Sequence, residues 1–329
     1  MLTDAAPVTS RDLAVGVRAH RPLFLLAAAM AATAVVALVG MVVDDRVITG
    51  LPLWDKPLKF AISVGIYALT FGWLIGQLRR GRRLAWWAGT VAAVFLAVEM
   101  IVIVGQALRN TTSHFNVSTP LDAAVWEVMA GSIAAVWVAT LVISIVLFAN
   151  PGPDPARNLA IRAGAVISLI GMGLGFLMTI PSAAQIQAGN GILGAHTVGL
   201  ADGGPGLPLL GWSTVGGDLR IPHFVGMHAL QLLPLILIVL EALSRRFAVL
   251  RDGGVRTRLM MLAAAGYAAL VALVTWQALR GQSVVHPDAF TLLALAVIVV
   301  GVGVALPAAL VLRRHRSPAA TVAPPAGTR

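Results

Sequence analysis

Three polar side chains, His223, His228 and Gln231, stand at the mouth of an apolar run in Gly217-Asp-Leu-Arg-Ile-Pro-His-Phe-Val-Gly-Met-His-Ala-Leu-Gln231. A polar group in hydrocarbon costs free energy and is kept there for a use, so this stretch is the densest candidate for chemistry in the chain. Imidazole is both a base near neutral pH and the commonest metal ligand. On a regular helix His228 and Gln231, three residues apart, share a face, whereas His223 is rotated from His228 by about 140°. Both imidazoles reach one small ion only if the helix start is irregular, which Pro222 and Gly226 permit.

A second set lies upstream. Glu99 and Gln106 are seven residues apart and share a helical face, which Arg109 or Asn110 continues; His114 follows in Ser113-His-Phe-Asn116, and Glu127 follows Asp122 on the next apolar run. The chemistry such a set would do is metal-assisted. His114, His223 and His228 would hold a divalent metal such as zinc, whose bound water has its pKa lowered to about 7, with Glu99 or Glu127 free as general base. Lys59, Arg109 and Arg220 would hold an anionic headgroup, while Gln231, Gln106, Asn116 and Asp218 would orient the ligands. Plainer readings stand beside this one. Neutral imidazoles also join helices by hydrogen bonds, Glu99 pairs equally well with Arg109, His20 and His315 read as solvated tail residues, and His196 and His286 read as surface. A b-type haem or a quinone on the histidines, a secondary transporter with Gly171-Met-Gly-Leu-Gly175 and Gly301-Val-Gly303 as its flexible segments, and a structural or assembly subunit stay open. There is no His-Glu-x-x-His, Gly-x-Ser-x-Gly or Walker sequence, and without Cys there is no disulfide, c-type haem attachment or cysteine-held iron–sulfur cluster.

The elements that must position these residues are membrane helices. With 58% hydrophobic and 12% charged residues and a mean hydropathy of +0.86, the chain is too apolar for a soluble domain of its length. The expected fold is all-α, an integral membrane bundle of eight transmembrane helices at Leu23–Val43, Phe60–Leu78, Leu84–Leu108, Ala123–Phe148, Ala163–Ile180, Phe224–Leu243, Leu259–Leu279 and Phe290–Leu312. The first is too long for a signal-peptide core. Basic residues collect on the cytoplasmic side, and with both termini inside, 18 of the 24 Lys and Arg fall there. That placement accounts for the net charge of +10 and the pI near 11.5, and removes the nucleic-acid partner a basic chain otherwise invites. The expected partners are membrane lipids and a small-molecule or lipid-like ligand at the outer face. Two Lys against 22 Arg point to a high-GC bacterial genome, and so to a bacterial cytoplasmic membrane.

Order repeats within the chain. Gln106-Ala-Leu-Arg109 followed by His114, and Gln277-Ala-Leu-Arg280 followed by His286, each precede a Pro and an Asp at the start of the next run, and Pro57 and Pro222 open corresponding runs. Two parallel four-helix halves, 1–155 and 156–315, with a disordered cytoplasmic tail at 316–329, are the domain reading. Two loops would cover an outer site. One is 47–59, whose Trp54, Lys56 and Lys59 are of interface-anchor type; the other is 181–222, with ten glycines.

The Gly217–Gln231 stretch, with Ser113-His-Phe-Asn116 and Trp54-x-Lys-Pro-x-Lys59-Phe, resembles an uncharacterised family of bacterial multi-pass membrane proteins. The resemblance covers most of the chain and implies a membrane fold and no particular activity.

Overall fold

The computed structural model describes residues 20–311. The tail at 316–329, His315 and the terminal arginines lie outside them. Among the described residues there are ten α-helices and one small hairpin, and seven helices are long and apolar enough to cross a membrane, or eight if one bent pair is a single span. The chain is therefore an all-helical, membrane-embedded, multi-pass protein. The spanning helices are α1 (Arg21–Val43), α2 (Asp55–Gly76), α3 (Arg82–Leu108), α4 (Pro120–Phe148), α5 (Pro155–Leu174, continued by a 3-10 turn at Gly175–Thr179), α9 (Gly253–Leu279) and α10 (Ala289–Leu310). The bent pair is α7 (Arg220–Met227) and α8 (Ala229–Leu243), at 46° to one another about His228. A short α6 (Ala183–Ala188) lies in the long loop.

Local chemistry fixes the starts. Thr119, Asp154, Asp252 and Asp288 each accept a backbone N–H in the first turn of α4, α5, α9 and α10, and Pro follows two of these caps in the first turn. His20 caps α1. Its Nδ1 accepts from Leu23 N at 3.2 Å and its Nε2 is 2.9 Å from Trp86 O. It is fully buried rather than a solvated tail residue, because an imidazole can satisfy an orphan N–H on one side and a carbonyl on the other.

Two apolar cores run through the bundle. One joins α1 to α4 around Leu23, Phe71, Ile103 and Ile143; the other joins α5, α8 and α9 around Ala160, Leu233 and Met260. Close packing holds helices together in lipid, where apolar burial alone gives little. The crossing of α5 and α7 shows this: a Cβ on Gly171 would overlap the backbone of Gly226, and one on Gly175 would come within 2.9 Å of the His223 ring. The glycines of Gly171-Met-Gly-Leu-Gly175 thus serve helix contact, while Gly301 and Gly303 on the peripheral α10 have nothing against them.

The two ends of the bundle differ. At one, arginines meet helix ends: Arg157 pairs with Glu241, Arg162 donates to Phe148 O, and Arg258 donates to Ala309 O and Val311 O. The other end carries the loops. Val47–Ile48 and Leu51–Pro52 form a hairpin whose turn residues Thr49 and Gly50 have φ of 47° and 78°, the left-handed pair a two-residue hairpin turn needs. The 181–219 segment is tied by bridges Asn116–Ile192, Thr197–Asp218 and Gly206–Ser213. It passes so close over Phe115 that a Cβ on Gly194 would stand 2.6 Å from that ring.

Candidate functional site

Between the hairpin, the start of α2, the end of α3 and the long loop lies a cavity of about 950 Å³. Lys56, Lys59 and Phe60 line it from α2, His114 and Phe115 from the 109–119 loop, and His196, Asp202 and Arg220 from the 181–220 segment; Ile103 and Ala107 of α3 form an apolar wall. The helix α2 begins at Asp55, five residues before the apolar run suggests, so Lys56 and Lys59 stand on its first turn with fixed directions rather than in a loop. Pro57 is no obstacle there, since the first-turn N–H groups lack helical partners in any case.

The three cations are not equivalent. Lys59 Nζ is 2.5 Å from Asp55 Oδ2 and donates to Leu209 O at 2.8 Å and Leu210 O at 3.2 Å. Arg220 is paired with Asp218 at 2.6 Å and donates to Gly211 O. Both therefore pin loop to helix. Lys56 Nζ is 3.1 Å from His114 Nδ1, lies 5.9 Å from the Phe60 ring centroid, and makes no ion pair among the described residues. Of the three it is the one without a carboxylate partner among the described residues.

Opposite it stands a second pair. His196 Nδ1 is 2.5 Å from Asp202 Oδ2, and Asp202 also accepts the N–H of His196 at 3.0 Å and of Thr197 at 3.3 Å. The ring packs edge-on to Phe115, whose neighbour Trp126 also flanks His114. Burial holds the His196 imidazole below its ordinary value against the opposing effect of Asp202. Burial would raise the Asp202 carboxyl, but the hydrogen bond and charge of His196, with Arg220, outweigh it and hold it at about 2. His114 is held well below its ordinary value by burial first and by the Lys56 charge second. At neutral pH the cavity thus presents neutral imidazoles. With Nδ1–H of His196 given to Asp202, its Nε2 carries the lone pair, the arrangement of an oriented general base.

The expected metal set does not come together. Among the described residues no three His, Asp or Glu side chains are placed to hold an ion. The helix does break at His228, as Pro222 and Gly226 permit, yet each imidazole bonds a different helix: His223 Nδ1 is 2.8 Å from Gly171 O on α5, and His228 Nε2 is 3.4 Å from Ser63 Oγ on α2. Glu127 is exposed on α4, away from His114. As placed among the described residues, these donors do not fit zinc.

The remaining expected residues fall into place as scaffold. Arg109 bonds Asp122 at 2.8 Å and Gln106, and Gln106 bonds Asp122 at 3.0 Å; none lines the cavity. Asn116 holds the turn after His114 through Thr111, Thr112 and Ser118. Asp218 is buried beneath Arg220 and also accepts Ser213 N. Gln231, next to the bend, leaves its amide oxygen buried without a partner. Glu99 is 1% exposed, one turn below Ile103, with neither carboxyl oxygen hydrogen-bonded. His286 is exposed, but His196 is half-buried in the cavity wall instead of free at the surface. No periodicity marks a residue of an irregular loop, so nothing in the sequence singles out His196 and Asp202.

Compared with protein-family models, with curated proteins and with solved structures, the chain matches none.

Proposed function

We propose that this cavity faces the outside of a bacterial cytoplasmic membrane and takes up a small or lipid-like anion, on which His196, oriented by Asp202, acts as general base. The observation that carries the reading is Lys56, a cation in a roomy cavity with a neutral imidazole and no carboxylate as its partner. An anionic group on Lys56 would lie in the cavity shared with His114 and His196, and Ile103, Ala107 and Phe60 offer an apolar wall for a chain or ring. Neutral bases beside the Lys56 amino group suit proton abstraction or water activation next to an anionic group. Metal assistance is not needed for either.

The outward assignment rests on the arginine-lined opposite end and the preference of basic residues for the cytoplasm. It makes α7 and α8 one broken span, giving eight spans with both termini inside. The two parallel four-helix halves belong to this proposal as well, supported by the shared Gln-Ala-Leu-Arg helix ends.

Calorimetric titration of the detergent-solubilised full chain with methanesulfonate and with decanesulfonate tests the reading. Binding of both, lost in Lys56→Ala, is expected for a free small anion; binding of decanesulfonate alone, with the same Lys56 dependence, for a lipid-like one. Binding of neither, or binding indifferent to Lys56→Ala, contradicts it.

A further inference from the structure

The lipid-facing side of α5 runs into the cavity. Val166, Ile170, Leu177 and Ile180 follow one another at helical spacing, so they stand on one side of α5 and of the 3-10 turn that closes it. All four are exposed apolar side chains, and on a spanning helix such a stripe faces acyl chains. Leu177 and Ile180 are at the same time part of the cavity wall. A side chain that belongs to both surfaces marks a seam between cavity and bilayer. Met178, between them, turns the other way into a cluster with Phe115, Leu219 and Ala278.

The seam lies at membrane depth. Ile103, on the cavity wall, stands five residues before the end of α3, which is about 8 Å below the helix end at 1.5 Å per residue. The rim at the seam is uncharged: from Phe176 to Ala195 there is no Asp, Glu, Lys or Arg. It is also pinned, since Ala195 N donates to Met178 O at 3.0 Å and Gln185 of α6 donates to Gly194 O at 2.7 Å. The rim at the hairpin is opposite in character, with Asp44 and Arg46 paired at 2.7 Å at its base.

We propose that the cavity opens sideways at the end of α5 into the outer part of the bilayer, and that its anion, on the reading above, is the headgroup of a membrane lipid whose chain lies over Leu177 and Ile180. At about 950 Å³ the cavity is at the upper end of the roughly 300–1,000 Å³ of small-molecule sites. That holds a headgroup and the start of a chain, and the rest of the chain stays outside along the stripe. With the headgroup at the loop end and the chain towards hydrocarbon, the lipid keeps the orientation it already has in its leaflet. A small anion arriving from water has no use for an apolar seam.

The test is photolabelling in phosphatidylcholine vesicles that hold a trace of phosphatidic acid with a diazirine in its acyl chain close to the ester. Ile103 and Ala107 are buried against the bulk bilayer, so label on them reports a chain inside the cavity. The unaltered chain should be labelled there, and Lys56→Ala should not. Tryptophan at both Leu177 and Ile180 should block the seam and abolish that label. Ile170→Trp, lower on the same stripe, and Leu279→Trp, at the exposed apolar wall position on α9, should leave it unchanged. Should the double variant fail to fold, Ile180→Cys replaces it, because the chain has no other cysteine and a bulky maleimide can be added after reconstitution; the label should then fall on alkylation. Equal labelling of Ile103 and Ala107 by a phosphatidylcholine probe overturns the anionic class of the lipid. Label indifferent to the block, or none while decanesulfonate still binds through Lys56, overturns the sideways entry and leaves the anion site standing. Absence of Lys56-dependent decanesulfonate binding overturns the anion site itself.

Discussion

The ends of α3 and α9 are built alike and used differently. Gln106-Ala-Leu-Arg109 and Gln277-Ala-Leu-Arg280 each run into a residue with positive φ, Asn110 at 55° and Gly281 at 72°. Each closes with a bond from the next residue back to the Gln carbonyl, Thr111 N to Gln106 O at 3.0 Å and Gln282 N to Gln277 O at 3.2 Å, the Schellman closure that satisfies orphan carbonyls at a helix end. Each Arg then clamps an Asp at the start of the following helix, Asp122 at 2.8 Å and Asp288 at 2.6 Å. Beyond this shared joint the halves part. The loop after α3 delivers His114 to the cavity, and seven residues before Gln106 stands Glu99. The loop after α9 bonds Ser283 to Ser213 O and leaves His286 exposed, and seven residues before Gln277 stands Leu270. Both joints are scaffold, and the first of them leads into the wall of the cavity while the second does not.

The bent pair of α7 and α8 makes the same point against α2. Both begin with a charged pair and a proline, Asp55 with Lys59 and Asp218 with Arg220. Yet α2 runs unbroken with Lys56 aimed at the cavity, while α7 and α8 bend at His228 and spend their histidines on neighbouring helices.

Substitutions can break this comparison. The largest contrast is expected between Lys56→Ala and Arg280→Ala in binding decanesulfonate. Loss of a charge-assisted contact is worth about 2 kcal/mol or more, so Lys56→Ala should weaken binding by roughly thirtyfold, and Arg280→Ala should leave it unchanged; an equal effect of the two, measured by calorimetry, would place the ligand elsewhere. In thermal unfolding the order of the two joints reverses in interest. Arg109→Ala strips a partner from Asp122, whose side chain is 4% exposed, and should cost about 1–2 kcal/mol. Arg280→Ala frees Asp288, 34% exposed, and should lower the melting temperature by less, because solvent screens the pair. Equal melting shifts would mean that the two clamps are not the differing parts of a common joint.

Acid should act on the cavity. His114 and His196 are held below their ordinary values in the folded protein, so the unfolded chain binds more protons than the folded one once pH falls below about 6.5. The stability these neutral imidazoles allow is therefore complete above that pH and declines as pH is lowered through it. Melting temperature followed from pH 8 to 5 should fall less steeply in His196→Asn than in the unaltered chain. The smallest effect is expected from His286→Ala, an exposed side chain, which should leave the melting curve unchanged; a shift comparable to that of His196→Asn would show that it is packed.

Much of the scaffold was legible. Runs of about twenty apolar residues placed the spanning helices to within a few residues at most ends, because membrane crossing demands length and little else. Pro222 and Gly226 correctly allowed an irregular start to the run holding His228. The site was harder to read. His223 and His228 drew notice because polar groups in an apolar run are conspicuous, but whether they converge depends on which neighbour each meets, which only packing decides. Lys56 looked like an interface anchor, since nothing in the sequence tells an anchor from a side chain turned inward by a helix that starts five residues early. His196 and Asp202 lie in a segment with no periodicity, and their bond depends on how the loop folds back over Phe115. His20 was misread for a related reason: proximity to arginines in sequence says nothing of a carbonyl on another helix.

The central claim, that the cavity beyond the first of two like joints takes up an anion, is tested most directly by imidazole ¹⁵N resonances of the histidine-labelled full chain during titration with decanesulfonate. The account predicts that the signals of His114 and His196, assigned by single substitution, shift together at the affinity seen by calorimetry, while those of His20 and His286 stay in place. A shift confined to His286, or binding that moves none of the cavity imidazoles, would contradict it.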